Sequence, residues 1–358
     1  LIEQMAPPEI AWERDNVGLQ VGRGDDPVRG VLVSLEVTDA VINEARRRRA
    51  SLIVSHHPLV FRPLRAVATD TPEGRRIAGL LRYGIALYAA HTNLDFAAGG
   101  TSFALAERLG IRGARFLRTP YRMQKKIVTF VPEADVERVA AAMAGAGAGV
   151  IGNYDSCSFR IGGEGTFRGN AAANPAVGRR GALERVREVR LEMVVPGPGV
   201  TGVVAALCAT HPYEEVAYDV YPVDTPSHQY GMGVVGELER PVKLRMFLQR
   251  VRRSLAIPHL RYTGDQGMTV RRVAVCGGSG ADLLPAAIAA GADAFVTADV
   301  KYHAFHDSSR AIALIDAGHY ETEVPVVHSL ARRLAARLRG KGIPVSSTRV
   351  TTNPVRWA

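Results

Sequence analysis

Leu52-Ile53-Val54-Ser55-His56-His57-Pro58 is the stretch from which the fold of this chain can be read. A short apolar run bounded by proline reads as a buried strand that stops pairing at its last residues. The two imidazoles then stand at a sheet edge, where side chains can converge on a ligand. Neutral histidine is a common metal ligand. Successive side chains of an extended segment point to opposite sides, so a tandem pair can serve two ions.

Working outward, a second apolar run at 85–90 leads into His91-Thr92-Asn93-Leu94-Asp95. A third, at 311–316, leads into Ala317-Gly318-His319-Tyr320-Glu321-Thr322-Glu323. A helix opening near Tyr320 puts His319 and Glu323 four residues apart on one face. Three strand ends thus offer His56, His57, Asp95, His319 and Glu323, with His91 beside them. Open α/β sheets bind their ligands beyond the carboxyl ends of strands. Mixed imidazole and carboxylate donors suit zinc, manganese or iron better than calcium or magnesium. Five such side chains are too many for one catalytic zinc. They suffice for two divalent cations sharing a bridging carboxylate and a bridging water, with Glu323 the expected bridge.

Around these motifs the ends of the chain alternate strand and helix. Strands are expected at 28–36, 52–56, 85–91, 273–276, 294–297, 311–315 and 343–350, and helices at 38–50, 72–83, 100–109, 244–255, 283–290 and 322–338. That alternation predicts parallel β-α units and a layered α/β domain. The middle reads differently: strand 127–131, helix 134–146, two short strands within 156–167, strand 186–195, helix 199–208 and strand 216–223. This order approximates β-α-β-β-α-β, a ferredoxin-like α+β arrangement. Since candidate ligands lie on both sides of it, the block at 122–228 interrupts one domain made of 1–121 and 229–358. The boundaries are expected at Tyr121-Arg122 and within 226–231.

Three smaller motifs carry alternatives. His211-Pro212-Tyr213-Glu214-Glu215 reads as a turn or subunit contact, with a second metal site as the rival reading. Gly277-Gly278-Ser279-Gly280 reads as a tight strand-to-helix turn or as a phosphate cradle at a helix N-terminus, though it lacks a P-loop lysine. Asp299, Lys301 and His303 follow a strand and are assigned to the cavity wall, in a structural role or in contact with substrate or a transferred proton.

The chain has 358 residues, 47% of them hydrophobic and 22% charged, an ordinary globular balance. Its apolar runs are well short of the roughly 20 residues that span a bilayer, so no membrane association is expected. No signal peptide is visible, although the sequence starts at Leu1 rather than Met. Cys157, Cys208 and Cys276 show no metal-type spacing, which fits buried thiols in a reducing cytoplasm. The net charge of +10 comes from dispersed clusters such as Arg46-Arg47-Arg48-Arg49. With no nucleic-acid motif beside them, they read as solvated faces, one of which closes a helix where cations complement its dipole. A mildly basic cavity for a phosphorylated small-molecule substrate is compatible with the same charge.

SHHPLVF, AAHTNLDFAAGG, TADVKYH, DAGHYETE and WERDNVGLQVG together resemble the NIF-three-like dinuclear-metal-centre family, the GTP cyclohydrolase I type 2 homologues. The resemblance covers about 6–118 and 229–356. It implies metal ligands at His56, His57, Asp95, His319 and Glu323, with His91 an outer group or an extra ligand. Relatives commonly have Asp where this chain has Glu36, which is not expected to be a ligand. The resemblance also implies a toroidal homohexamer whose metal sites face an internal cavity. The middle block resembles the trimer-forming PII/CutA-like domains. Two functional classes follow. One is a metal-dependent hydrolase of nucleotide-like or phosphorylated substrates, which in its cyclohydrolase form opens the imidazole ring of a guanine nucleotide at C8. The other is a non-catalytic oligomeric metal-binding or regulatory protein. No catalytic residue beyond the ligands stands out.

Overall fold

The computed structural model describes residues 1–119, 123–225, 229–308 and 311–356. It divides into two units, one made of Leu1–Arg118 and Tyr230–Ala358, the other of Thr119–Gln229. Of the expected boundary positions, Tyr121-Arg122 and 226–228 lie outside the described residues.

The first unit contains two sheets. One runs in the order Gly18–Val21, Ala86–Ala89, Leu52–Ser55, Val31–Ser34, Val345–Ser347. Its last four strands are parallel, and Gly18–Val21 is an antiparallel edge. The C-terminal strand thus closes a sheet begun near the N-terminus. The central strands are apolar on both sides, as parallel strands covered by helices must be. The helix Asp39–Arg47 starts at Thr38, whose hydroxyl accepts from Val41 N, and carries Arg46 and Arg47 in its last turn. It packs Val41, Ile42 and Ala45 onto Leu32, Ile53 and Leu87. The helix Pro72–Arg82 is capped by Thr71 and adds Ile77 and Leu80 to the same core.

The other sheet runs Arg261–Tyr262, Ala313–Asp316, Ala294–Ala298, Thr269–Ser279, Met232–Lys243, Ile111–Arg118. Only its three central strands are parallel. Met232–Lys243 and Ile111–Arg118 add two antiparallel strands that the alternating pattern does not predict. In both, apolar residues are interleaved with glycine and arginine, so no compact apolar run marks them. The helix expected at 322–338 is two helices, His319–Glu323 and Pro325–Arg337. Pro325 donates no backbone hydrogen bond and therefore opens the second helix instead of continuing the first. A core of Leu105, Leu109, Val234, Phe247, Val251, Val275 and Ile315 lies beneath this sheet.

The second unit is one antiparallel sheet in the order Phe159–Phe167, Glu184–Pro196, Gln124–Pro132, Tyr218–Val223. Helices Val136–Gly145 and Val200–Thr210 pack on it around Ile127, Met143, Leu191, Met193 and Leu207. Along the chain the elements run strand, helix, strand, strand, helix, strand. The two short strands expected within 156–167 are a single strand, Phe159–Phe167, whose Gly162, Gly163 and Gly165 stay paired with its neighbour. The three cysteines are free thiols, but Cys208 is exposed and Cys157 partly so, against the burial expected of them. Among the described residues no helix is long and apolar enough to cross a membrane.

Candidate metal centre

Both sheets of the first unit contribute to one cluster. Beyond Leu52–Ser55 the backbone N–H groups of His56 and His57 still donate to Ser34 O and Leu35 O, at 3.1 and 2.9 Å, which fixes the tandem pair. His56 is 1% exposed, and its Nδ1 lies 2.8 Å from Ala90 O. A carbonyl only accepts, so Nδ1 donates to it and Nε2 is the nitrogen that faces the cluster. His57 Nδ1 lies 2.5 Å from Glu36 Oε1, His91 Nδ1 2.9 Å from Asp15 Oδ1, and His319 Nδ1 2.6 Å from Asp299 Oδ2. Their opposite nitrogens are left for the centre. His57 Nε2 is 3.0 Å from Glu323 Oε2, and His319 Nε2 is 3.1 Å from Glu323 Oε1, across one helical turn as the spacing predicts. His56 Nε2 is 3.6 Å from Asp95 Oδ1 and 3.8 Å from Glu323 Oε1. The structure therefore brings His56, His57, Asp95, His319 and Glu323 together, and His91 joins them with its ring 5.3 Å from that of His56.

Two overlapping groups can hold an ion: His56, His57 and His91, and His57, His319 and Glu323, with donor atoms within 4.8 Å of one another in each. His56 Nε2, Asp95 Oδ1 and Glu323 Oε2 are buried and make no hydrogen bond of good geometry. An unsatisfied buried polar atom costs about 1–3 kcal/mol, so several converging on one spot call for a cation. The donor set fits a divalent metal.

The electrostatics agree. Burial pushes the Glu323 carboxyl up, but the imidazoles of His319, His56 and His57 outweigh it and hold the group well below the ordinary carboxylate range. Asp95 moves the other way: burial raises it, with Glu323 adding to the rise and His56 opposing it. Burial alone would lower His57, yet Glu323 and Glu36 raise it to about 10. His319 is raised to about 9, chiefly by Glu323 against the effect of burial. Negative charge is thus packed densely against the imidazoles, an arrangement that suits a cation.

Gly278 shapes the wall of the centre. Gly277, Gly278 and Ser279 belong to the strand Thr269–Ser279, so the strand-to-helix turn expected at 277–280 is confined to Gly280. The strand's apolar residues end at Cys276, which is why the sequence suggests an earlier end. A Cβ on Gly278 would lie 2.2 Å from Glu323 Oε1, and its φ of +64° favours glycine. Its N–H donates to Thr322 Oγ1 at 3.0 Å. The Cys276 thiol is pushed up to about 12 by burial and by Asp95.

Of the residues assigned to the cavity wall, Asp299 contacts the centre through His319, whereas Lys301 and His303 are exposed and outside both ligand groups. His211 donates from Nε2 to Phe130 O at 3.0 Å and accepts from Tyr213 N at Nδ1. Both ring nitrogens are used, so the motif is a structural turn and not a second metal site. Asp15 and Asp316 are the polar groups that sequence reasoning missed. Asp15, buried inside WERDNVGLQVG, also accepts from Thr92 N at 3.0 Å. Asp316 accepts from Val300 N and Gly318 N, at 3.2 and 3.3 Å, and pairs with Arg261.

Comparison with known proteins places this geometry. The model of the Duf34/NIF3 (NGG1p interacting factor 3) family matches residues 1–354. A Bacillus subtilis protein named GTP cyclohydrolase 1 type 2 homolog is 40% identical, over 99% of this chain and 96% of its own length. A Mycobacterium tuberculosis protein of the same name is 39% identical, over 99% of this chain and 94% of its own. The crystal structure of a Bacillus cereus protein related to NIF3 superposes with a TM-score of 0.86 at 39% identity, covering 100% of this chain and 97% of that one. A Staphylococcus aureus structure gives a TM-score of 0.76 at 28% identity, over 100% and 96% of the two chains. The chain belongs to the Duf34/NIF3 family.

Proposed function

We propose that the protein holds two divalent cations, zinc in the first instance, and uses them to hydrolyse a nucleotide-like or phosphorylated small molecule. The observation that carries this reading is the convergence of His56 Nε2, Asp95 Oδ1 and Glu323 Oε2, buried and without a hydrogen bond of good geometry, among further imidazoles. His56, His57, Asp95, His319 and Glu323 form the ligand set; His57 is common to the two groups, Glu323 of the second lies 3.8 Å from His56 Nε2 as the proposed bridge, and His91 is at the edge of the first. Two such ions would supply Lewis acidity and bring the pKa of a water toward neutrality. Glu323 contributes a carboxylate kept ionised by its imidazole neighbours. Glu36, Asp15 and Asp299 each fix an imidazole by its Nδ1 so that the other nitrogen faces inward.

The substrate class is supported by the name shared by the relatives, GTP cyclohydrolase 1 type 2 homolog, and by the net charge of +10, which favours anionic ligands. We extend the proposal to a cytoplasmic homo-oligomer, a hexamer in which the second unit is an inserted PII/CutA-like domain. Light scattering showing only a monomer near 38.5 kDa would contradict the assembly. The function is tested by assaying purified, metal-reconstituted protein on nucleotides, phosphoesters and amides beside Glu323→Ala. Turnover that disappears in the variant supports hydrolysis. Stoichiometric metal binding without turnover supports the non-catalytic metal-binding alternative.

A further inference from the structure

We infer that the two ion positions are unequal and fill in order, the one bounded by His57, His319 and Glu323 first. This rests on the dinuclear reading above and concerns what stands behind each imidazole. His57 is backed by the Glu36 carboxylate at 2.5 Å and His319 by Asp299 at 2.6 Å. His56 is backed only by a neutral carbonyl, Ala90 O, at 2.8 Å. A carboxylate behind an imidazole fixes its tautomer and makes the facing nitrogen a more basic donor. The His57–His319–Glu323 group therefore combines its own carboxylate with one behind each of its two imidazoles.

The shared residue sharpens the point. His57 belongs to both groups, but its Nδ1 is committed to Glu36, so a single nitrogen remains to be divided between them. That nitrogen lies 3.0 Å from Glu323 Oε2, on the side of the group that also contains His319. The remaining position keeps His56 and His91, with Asp95 3.6 Å from His56 Nε2; Asp15 stands behind His91 at 2.9 Å, so this position has one carboxylate-backed imidazole against two in the other.

The backbone supports a positioning role for Asp299. It is one of the few non-glycine residues with positive φ, at 54°, a conformation that persists where the surroundings enforce it. Here the next residue, Val300, is tied through its N–H to Asp316, which also holds Gly318 N at the other end of the Asp299–His319 pair. One carboxylate thus fastens both partners.

The test is titration of metal-stripped full-length protein with cobalt(II), followed by visible absorption and calorimetry and requiring no turnover. Two equivalents are expected, the first bound at least about tenfold more tightly. Glu36→Gln, which keeps an acceptor for His57 Nδ1 but removes the charge, and Asp299→Asn should each weaken the first step by about 10–100-fold. Asp95→Asn should weaken the second step alone. Glu36 and Asp299 are partly exposed, so these variants should fold. Two equal steps, or a first step lost in Asp95→Asn and unchanged in Glu36→Gln and Asp299→Asn, overturn the ordering and leave the dinuclear reading standing. One equivalent or none overturns that reading itself and the ordering with it.

Discussion

Gly278 and Glu323 are in such close register that a single methyl on the glycine would lie 2.2 Å from the carboxylate Oε1. Gly278 lies next to the last residue of the strand Thr269–Ser279, and Glu323 ends the short helix carrying His319. Gly278→Ala should displace Glu323 and strain a backbone held at φ +64°. We expect a loss of about 1–3 kcal/mol in unfolding free energy. Ion affinity should fall at least about tenfold, since Glu323 lies within reach of three imidazoles. Calorimetric ion titration beside urea unfolding checks this, and wild-type affinity in the variant would show that the wall is not shaped by this glycine.

Asp316 is the strut beneath the other side. It is 8% exposed, accepts from Val300 N and Gly318 N and pairs with Arg261. Asp316→Ala strands these donors and should cost about 1.5–3 kcal/mol, the range for hydrogen bonds to a charged group. Because Asp299 and His319 are the neighbours it fastens, ion binding should weaken as well. A variant that loses stability yet binds ions as before would separate the strut from the centre.

Much of this centre was legible in the sequence because each ligand motif follows an apolar run directly. A run that ends in SHHP or HTNLD announces both its strand and the end where side chains gather. The groups behind the imidazoles were not legible. Asp15 and His91 are 76 residues apart, and Asp299 meets His319 only because two strands are paired in register. Gly278 was misread for a related reason: consecutive glycines usually mark a turn, whereas here Gly277 makes room for Thr101 and Gly278 for the Glu323 carboxylate. The strands Met232–Lys243 and Ile111–Arg118 escaped because their pairing with each other supplies what their sequences lack in apolar pattern.

Glu44 gives the fold a defined acid sensitivity. Its buried carboxylate accepts from Thr348 Oγ1 and from Arg349 N and lies 2.8 Å from Arg48, tying the C-terminal segment to the helix Asp39–Arg47. Burial opposes ionisation, but the hydrogen bonds from Thr348 and Arg349 and the charge of Arg48 win and hold the pKa below its ordinary 4.5. A folded-state pKa below the unfolded one contributes stability above the unfolded value, lost as pH falls through the folded value. Glu44→Gln should therefore cost about 1–3 kcal/mol at neutral pH, and the difference should shrink in acid below the carboxylate range. Denaturant titrations at both pH values measure it; a gap that is the same at both would exclude this linkage.

The second unit should be removable. Arg118 pairs directly with Met232 across an antiparallel ladder, so the ends left by cutting out Thr119–Gln229 are strand neighbours that a tight turn can join. All candidate ligands remain in the part retained. The shortened chain is expected to fold and to bind ions with wild-type stoichiometry, as judged by circular dichroism and elemental analysis. A folded but metal-free product would mean that the second unit takes part in the centre.

The central claim is that His56, His57, Asp95, His319 and Glu323 hold two divalent ions. Anomalous diffraction from crystals of the metal-loaded full-length protein, collected at the absorption edge of the bound metal, tests it most directly. Two anomalous peaks per chain are predicted, one beside His57, His319 and Glu323 and the other beside His56 and Asp95. A single peak, or peaks away from these side chains, would contradict the account.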